Sequence, residues 1–223
     1  MAETEKQAKY TKEMARRRKK RSWFLILARV LSIVFSPFYL PIVSMIVLFT
    51  FTHLHYLPWL YQFRVLAITY LFTILLPTLL IKVYKEYHGW KLFHLSNREK
   101  RMVPYFISIG CFLAAYYIMR ASHMPHIMSV IIVAALLVQI ACALINLLVK
   151  ISVHMAAIGG LTGGVMAFSL LIQFNALWWI IALILLAGVV GTARMMLRIH
   201  TLPNICLGYI VGFVTTLAVI SFV

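Results

Sequence analysis

At residues 191–212 the chain reads Gly-Thr-Ala-Arg-Met-Met-Leu-Arg-Ile-His-Thr-Leu-Pro-Asn-Ile-Cys-Leu-Gly-Tyr-Ile-Val-Gly, a short polar segment between two apolar runs. Each run, at 177–197 and 203–222, is about long enough to cross a membrane as a helix. A charge in mid-bilayer costs roughly 2.5–3.5 kcal/mol, and such residues usually mark a site or a pathway. Proline is favoured in the first helical turn, so Pro203 predicts that the last helix starts near this position. His200 would then precede a helix N-terminus, where free N–H groups attract anions.

The composition of the whole chain is that of an integral membrane protein. Its 223 residues are 63% hydrophobic and the mean hydropathy is +0.94. The formal net charge is +16, and the sequence contains no aspartate. The three cysteines lie inside apolar runs without paired spacing, so no disulfide framework is expected.

The hydropathy pattern predicts an all-α, polytopic membrane helix bundle with six to seven transmembrane helices. Residues 1–21 form a basic arm that is disordered or lies on the membrane surface, and 22–36 form an interfacial helix. The alternative is that 22–36 crosses the membrane, which would invert everything after it. Residues 37–223 form the bundle. The predicted spans are 38–54, 62–82, 103–120, 127–148, 154–173, 177–197 and 203–222.

The distribution of positive charge predicts the orientation. If 38–54 is the first crossing, one side of the bundle, here named face A, receives the arm and 83–102, 149–153 and 198–202. It then holds 18 of the 21 Lys and Arg, while the opposite face B has Arg64 and Arg120, and Arg29 is ambiguous. Basic residues concentrate on the cytoplasmic side. We therefore expect a multi-pass protein of a bacterial inner membrane with a cytoplasmic N-terminus.

This charge distribution also bears on the partners. Basic residues at helix ends are explained by contact with anionic lipid headgroups, so we expect membrane lipids as partners and no nucleic acid. The oligomeric state is not predicted.

Face A collects three polar clusters. The first is Lys91, Arg98 and Arg101, the second is Ser152 and His154, and the third is Arg194 and His200. Ser152 is a predicted N-cap, which makes a second helix start that favours anions.

These clusters resemble, in order, the three motifs of the type-2 phosphatidic-acid phosphatase family. Arg194-x5-His200 followed by Gly208-Tyr209-x2-Gly212 is similar to the third motif, Ser152-x-His154 to the second, and Lys91-x6-Arg98 to the first. A second register of the first motif uses Arg98, Arg101 and Pro104. The departures are Glu99 in place of proline, Ile151 and Val153 in place of proline and glycine, Ala193 in place of serine, and Asn204 in place of aspartate.

The resemblance implies a metal-independent phosphatase without cofactors that acts on a phosphorylated lipid through a phosphohistidine intermediate. His200 would be the nucleophile, His154 the general acid, and Arg194 a catalytic phosphate ligand. Lys91, Arg98, Arg101 and Ser152 would hold phosphate. Because the family's aspartate is missing, the partner that orients His200 would be Asn204, Glu99, Glu86 or a backbone carbonyl. Expected substrates include phosphatidate, phosphatidylglycerol phosphate, a polyprenyl diphosphate and phosphorylated lipid A.

Two other hypotheses stay open. The chain is either a catalytically inactive member of the family or a transporter-like protein that binds anionic lipid. Four histidines in the face B loops, His53, His55, His123 and His126, could also bind zinc or copper, although membrane-edge loops often carry histidine for other reasons. The prediction is therefore that no metal is bound.

Overall fold

A computed structural model describes residues 26–30, 37–51, 53–87, 98–173 and 175–222. Every regular element in these residues is helical, which confirms the all-α fold. The predicted arm at 1–21 and Lys91 lie outside the described residues. Of the predicted interfacial helix at 22–36, residues 26–30 are described and are helical.

Eight helices of the described residues form the bundle, and residues 88–97, between the third and the fourth, lie outside the described residues. They are α1 (Leu40–Phe51), α2 (Trp59–Tyr70), α3 (Leu76–Tyr87), α4 (Arg98–Ala121), α5 (His126–Leu148), α6 (Val153–Ile172), α7 (Leu177–Met196) and α8 (Leu202–Ser221). A 3-10 turn, His53–Tyr56, connects α1 to α2.

Six of these helical segments are long and apolar enough to cross a membrane. They are Trp59–Tyr87, Met102–Ala121, His126–Leu148, Val153–Leu171, Leu177–Met196 and Leu202–Ser221. The seventh predicted span, 38–54, is the 12-residue helix α1. At 1.5 Å per residue α1 is about 18 Å long, against a hydrocarbon core of about 30 Å. Helix length therefore supports six transmembrane helices, the lower of the two predicted numbers.

Helices α2 and α3 form one continuous segment through a π-helical turn, Leu71–Leu75. The backbone N–H of Leu76 donates to the carbonyl of Leu71, five positions back. Pro77, which is buried, has no N–H, and its ring would clash with the carbonyl four residues earlier in a regular helix. The wider π turn separates these groups.

The most extensive helix contact in the described chain joins α6 to α8. Glycines on both helices allow their backbones to touch. A Cβ on Gly159 would collide with the carbonyl of Tyr209, and a Cβ on Gly212 would collide with the carbonyl of Ala156. Small residues four apart are a common basis for close packing of membrane helices. Gly159 thus packs directly against α8, whereas Gly188 has no atom within 4 Å of its Cβ position.

The other large core lies between α1, α2, α4 and α5, and side chains rather than backbones meet there. Its buried members are Met45, Leu48, Phe49, Val65, Ala115, Met119, Met124, Met128, Ile131 and Ile132. Methionine is flexible and fills irregular gaps between helices. This core lies toward face B, because it includes residues next to the turn between α4 and α5.

Candidate functional site

The starts of α6 and α8 meet at face A. The backbone N–H of Ser152 donates to the carbonyl oxygen of Asn204 at 3.3 Å. Gly208, one turn further along α8, makes this approach possible, because a Cβ there would lie 2.5 Å from the carbonyl oxygen of Ser152. The second and third predicted clusters therefore adjoin, as the sequence predicted. We refer to this meeting of residues 151–154 with 200–204 as the α6–α8 junction.

Ser152 occupies the N-cap position of α6, as predicted, but its side chain does not cap the helix. Its backbone carbonyl accepts hydrogen bonds from the N–H groups of Met155 and Ala156, at 3.1 and 3.0 Å. The residue is 0% exposed, and its Oγ has no hydrogen-bond partner among the described residues. Leaving a buried hydroxyl without a hydrogen-bond partner costs about 1–3 kcal/mol.

Arg194 lies in the last turn of α7, and His200 lies two residues before α8. Between them the chain reverses in a tight turn, in which the N–H of Ile199 donates to the carbonyl of Arg194 at 3.2 Å. Arg198 has φ 53°, a left-handed conformation that is uncommon for arginine. The turn brings the end of α7 to the junction.

The two polar side chains of the third cluster, Arg194 and His200, are partly withdrawn from solvent. Nε of Arg194 and Nδ1 of His200 are both buried, and the two residues make contacts within the protein. His154 is half-buried in the first turn of α6 and also contacts the protein. Lys150 and Arg198, which lie nearby, are more exposed. Burial strengthens the interaction of a cation with an anionic ligand, because less water screens it.

The first predicted cluster is at the same end of the bundle. The backbones of Arg98 and Arg101 lie in the first turn of α4. Directly after them, Met102 Sδ accepts a hydrogen bond from Asn146 Nδ2 at 3.8 Å, near the end of α5. Tyr105 packs against the buried cluster that contains Ile151. The start of α4 therefore lies beside the end of α5, near Ile151. Lys91 lies outside the described residues.

Three residues were predicted as possible partners of His200. Of these, Asn204 lies at the α6–α8 junction in the described contacts. Its carbonyl holds Ser152, and it lies four residues from His200 in the first turn of α8. Glu86 is exposed in the last turn of α3, a helix that packs mainly against α4, so these contacts do not bring it to the junction. Glu99 begins α4 with the neighbouring arginines.

For the face B histidines, the structure describes the side chains of His55, His123 and His126. His55 packs against the ring of Tyr56 with centroids 3.8 Å apart, and His123 and His126 are exposed at the turn between α4 and α5. Among the described residues, no group of three or more His, Cys, Asp or Glu could hold a metal ion. The zinc or copper hypothesis therefore gains no support here.

One feature that the sequence did not predict is an apolar cavity of about 100 Å³ between α1, α4, α5, α6 and α8. Its lining runs along one face of α6 from Val153, next to the junction, to Phe168. A Cβ on Gly160 or Gly164, both in this lining, would contact Thr216, so these glycines pack against α8.

No family model, no curated protein and no solved structure matches this chain. The resemblance to the type-2 phosphatidic-acid phosphatases therefore rests on the motifs of this sequence.

Proposed function

We propose that this protein is a membrane-embedded lipid phosphatase that hydrolyses a phosphate monoester or diphosphate through a phosphohistidine intermediate. The observation that carries the proposal is the α6–α8 junction. It joins Ser152 to Asn204 by a backbone hydrogen bond and places the second motif beside the third. This contact supports the proposal, because a common phosphate ligand requires two motifs about 40 residues apart in sequence to come together.

The chemistry follows from the residue types. A neutral ring nitrogen of His200 attacks phosphorus, and His154 in its protonated form gives its proton to the leaving lipid oxygen. Water, deprotonated by His154, then cleaves the P–N bond and releases inorganic phosphate. Negative charge stays on the phosphoryl oxygens throughout, and the Arg194 guanidinium and Ser152 Oγ are suited to bind them.

Arg98 and Arg101 add positive charge at the start of the neighbouring helix. The second turn of α4 packs near Ile151, at the α6–α8 junction. In the proposal, Arg98 and Arg101 therefore supply a second set of phosphate ligands. Lys91 completes this set in the proposal. The histidines and cations supply the acid, the nucleophile and the countercharge, so the proposed reaction needs no metal.

Asn204 supports a second candidate, an inactive family member that binds a phosphorylated lipid. An amide at this position lacks the negative charge with which an aspartate would stabilise a positively charged His200. Such a protein would retain the phosphate site without turnover.

The decisive experiment is phosphate release from a panel of lipid phosphates by the purified protein in detergent with EDTA present. We expect turnover under these conditions, and His200→Ala should reduce it by at least about 10³-fold because the nucleophile is lost. The matched control is His126→Ala, which removes an exposed histidine at the other end of the bundle. Activity that disappears with EDTA and returns with zinc or magnesium would contradict the mechanism. Lipid phosphate binding without turnover in the unmodified protein would favour the inactive candidate.

We further propose that the site faces the cytoplasm in a bacterial inner membrane, because face A carries most of the basic residues. Lys150→Cys on face A and His123→Cys on face B place single thiols at exposed positions, in a background without native cysteines. In intact cells a membrane-impermeant maleimide should label the face B thiol and leave the face A thiol unlabelled until lysis. Labelling of the face A thiol in intact cells, with the face B thiol unlabelled until lysis, would contradict the proposed orientation.

A further inference from the structure

One face of α4 is buried along most of the helix. Tyr105 in the second turn is half-buried, and Ser108, Phe112, Ala115 and Met119 after it are each at most 2% exposed. Each of these positions follows the previous one by three or four residues. They therefore form a single stripe, which is the face that α4 turns toward the rest of the bundle.

The buried stripe of α4 leads back to the basic residues at the start of the helix. Counting back from Tyr105 by four residues and then by three gives Arg101 and Arg98. The helix continues through Pro104 as one element from Arg98 onwards, so the same spacing holds across its first two turns. The positions of the two predicted phosphate ligands therefore lie on the face that α4 turns inward.

Two contacts hold this part of α4 in its rotation about the helix axis. Met102 Sδ accepts a hydrogen bond from Asn146 Nδ2 at 3.8 Å, and Asn146 is 5% exposed near the end of α5. Tyr105 packs against the buried cluster that includes Ile151. Because Ile151 directly precedes Ser152, this cluster borders the α6–α8 junction. Tyr105 thus ties the second turn of α4 to the proposed phosphate site.

We propose that Tyr105 is a positioning residue for the phosphate site: its ring, packed beside the junction, sets the rotation of α4 so that Arg98 and Arg101 face the bound phosphate. This inference rests on the proposed function and adds to it a residue outside the three motifs. A shift of α4 by one residue is a rotation of about 100°, which would turn both arginine positions away from the junction. Arginine binds phosphate through a planar fork, so affinity depends on this orientation.

A double-mutant cycle tests this role through the binding of inorganic phosphate, the product that all the proposed substrates share. The full-length protein in detergent is equilibrated with radiolabelled phosphate by dialysis. Tyr105→Ala should weaken phosphate binding about tenfold, because the arginine contacts are misplaced. In a background that carries Arg98→Gln and Arg101→Gln, the same change should weaken binding less than about twofold, since no arginine is left to position. Tyr105→Phe keeps the ring and should restore the affinity of the unmodified protein.

Phe106→Ala is the matched control, because Phe106 is the next residue and is 66% exposed on the outer face of α4. It removes a ring of similar size and should leave phosphate binding unchanged. If Tyr105→Ala does not fold, as judged by size-exclusion chromatography, Tyr105→Leu takes its place in the cycle with the same expected coupling.

Equal losses for Tyr105→Ala with and without the two arginines would overturn the proposal, because Tyr105 would then act on the packing alone. So would a Tyr105→Phe protein that binds phosphate as weakly as Tyr105→Ala, or a variant without the two arginines that binds phosphate as well as the unmodified protein. If the coupling is found and no lipid phosphate is hydrolysed, the positioning role stands and the proposed hydrolysis fails. Hydrolysis without the coupling would leave the proposed function and remove the role of Tyr105.

Discussion

The two cores of this bundle are built in different ways. Between α6 and α8, glycines bring backbone against backbone, as where Gly212 meets the carbonyl of Ala156. Between α1, α2, α4 and α5, the contact is made by long side chains such as Met45 and Met128. A backbone contact has few alternative arrangements, whereas methionine side chains repack readily.

The core built from backbone contacts is the one that carries the proposed phosphate site. The α6–α8 contact fixes Ser152 and Asn204, and a phosphate site depends on atoms held at defined positions. The cavity lies between the two cores, and α1 and α5 supply much of its wall from the adaptable side.

The largest effect is expected from adding a side chain to the backbone contact. Gly212→Leu should prevent α6 and α8 from meeting and so destabilise the protein by more than about 3 kcal/mol, because backbone atoms cannot move aside as side chains can. Thermal unfolding in detergent and size-exclusion chromatography would measure this. Gly188→Leu is the control, since nothing lies within 4 Å of its Cβ position. Equal melting temperatures for the two variants would show that the α6–α8 contact is not made through backbone atoms.

A smaller effect, on activity alone, is expected within the rigid junction. Arg194→Lys keeps the charge but replaces a planar fork by a single ammonium group, which cannot make the two-pronged contact with phosphate. Losing one charge-assisted hydrogen bond should lower kcat/KM by about 10- to 100-fold. The exposed Arg198→Lys should change the rate little. Similar kinetics for Arg194→Lys and the unmodified protein would mean that only the charge of Arg194 matters.

The smallest effect is expected from Asn204→Asp, in which the two side chains have nearly the same size. Asn204→Asp should leave the α6–α8 contact intact, because the backbone carbonyl of residue 204 is the group that holds Ser152. The added carboxylate should stabilise a positively charged His200 during attack, and we expect kcat to rise about tenfold or less. Steady-state kinetics together with the melting temperature would separate this gain from a change in folding. An unchanged or reduced kcat would exclude residue 204 as the partner of His200.

Local signals predicted much of this architecture. Pro203 predicted the start of the last helix, which begins at Leu202, and Ser152 was correctly placed at the N-cap of α6. Such positions depend on the few residues around them. The order of the three motifs along the helices also predicted that the second and third would meet, since short turns return the chain to the same end of the bundle.

Other features depend on packing between distant segments. The apolar pattern at 38–54 gave no sign that regular helix is limited to the 12 residues of α1. The unpartnered Oγ of Ser152 was not expected, because an N-cap serine normally bonds to its own helix. The cavity needs five helices to enclose it, so no single stretch of sequence contains its signal.

The shortness of α1 has a consequence for how the protein is made. With about 18 Å of helix, α1 cannot hold itself across a bilayer, and its 3-10 turn ties it to α2 as one hairpin. Its partners in the finished bundle include α5 and α6, which leave the ribosome roughly 90 to 130 residues later. The first described helix of the bundle is thus among the last to reach its final neighbours, and membrane insertion must keep this hairpin shielded until the later helices arrive.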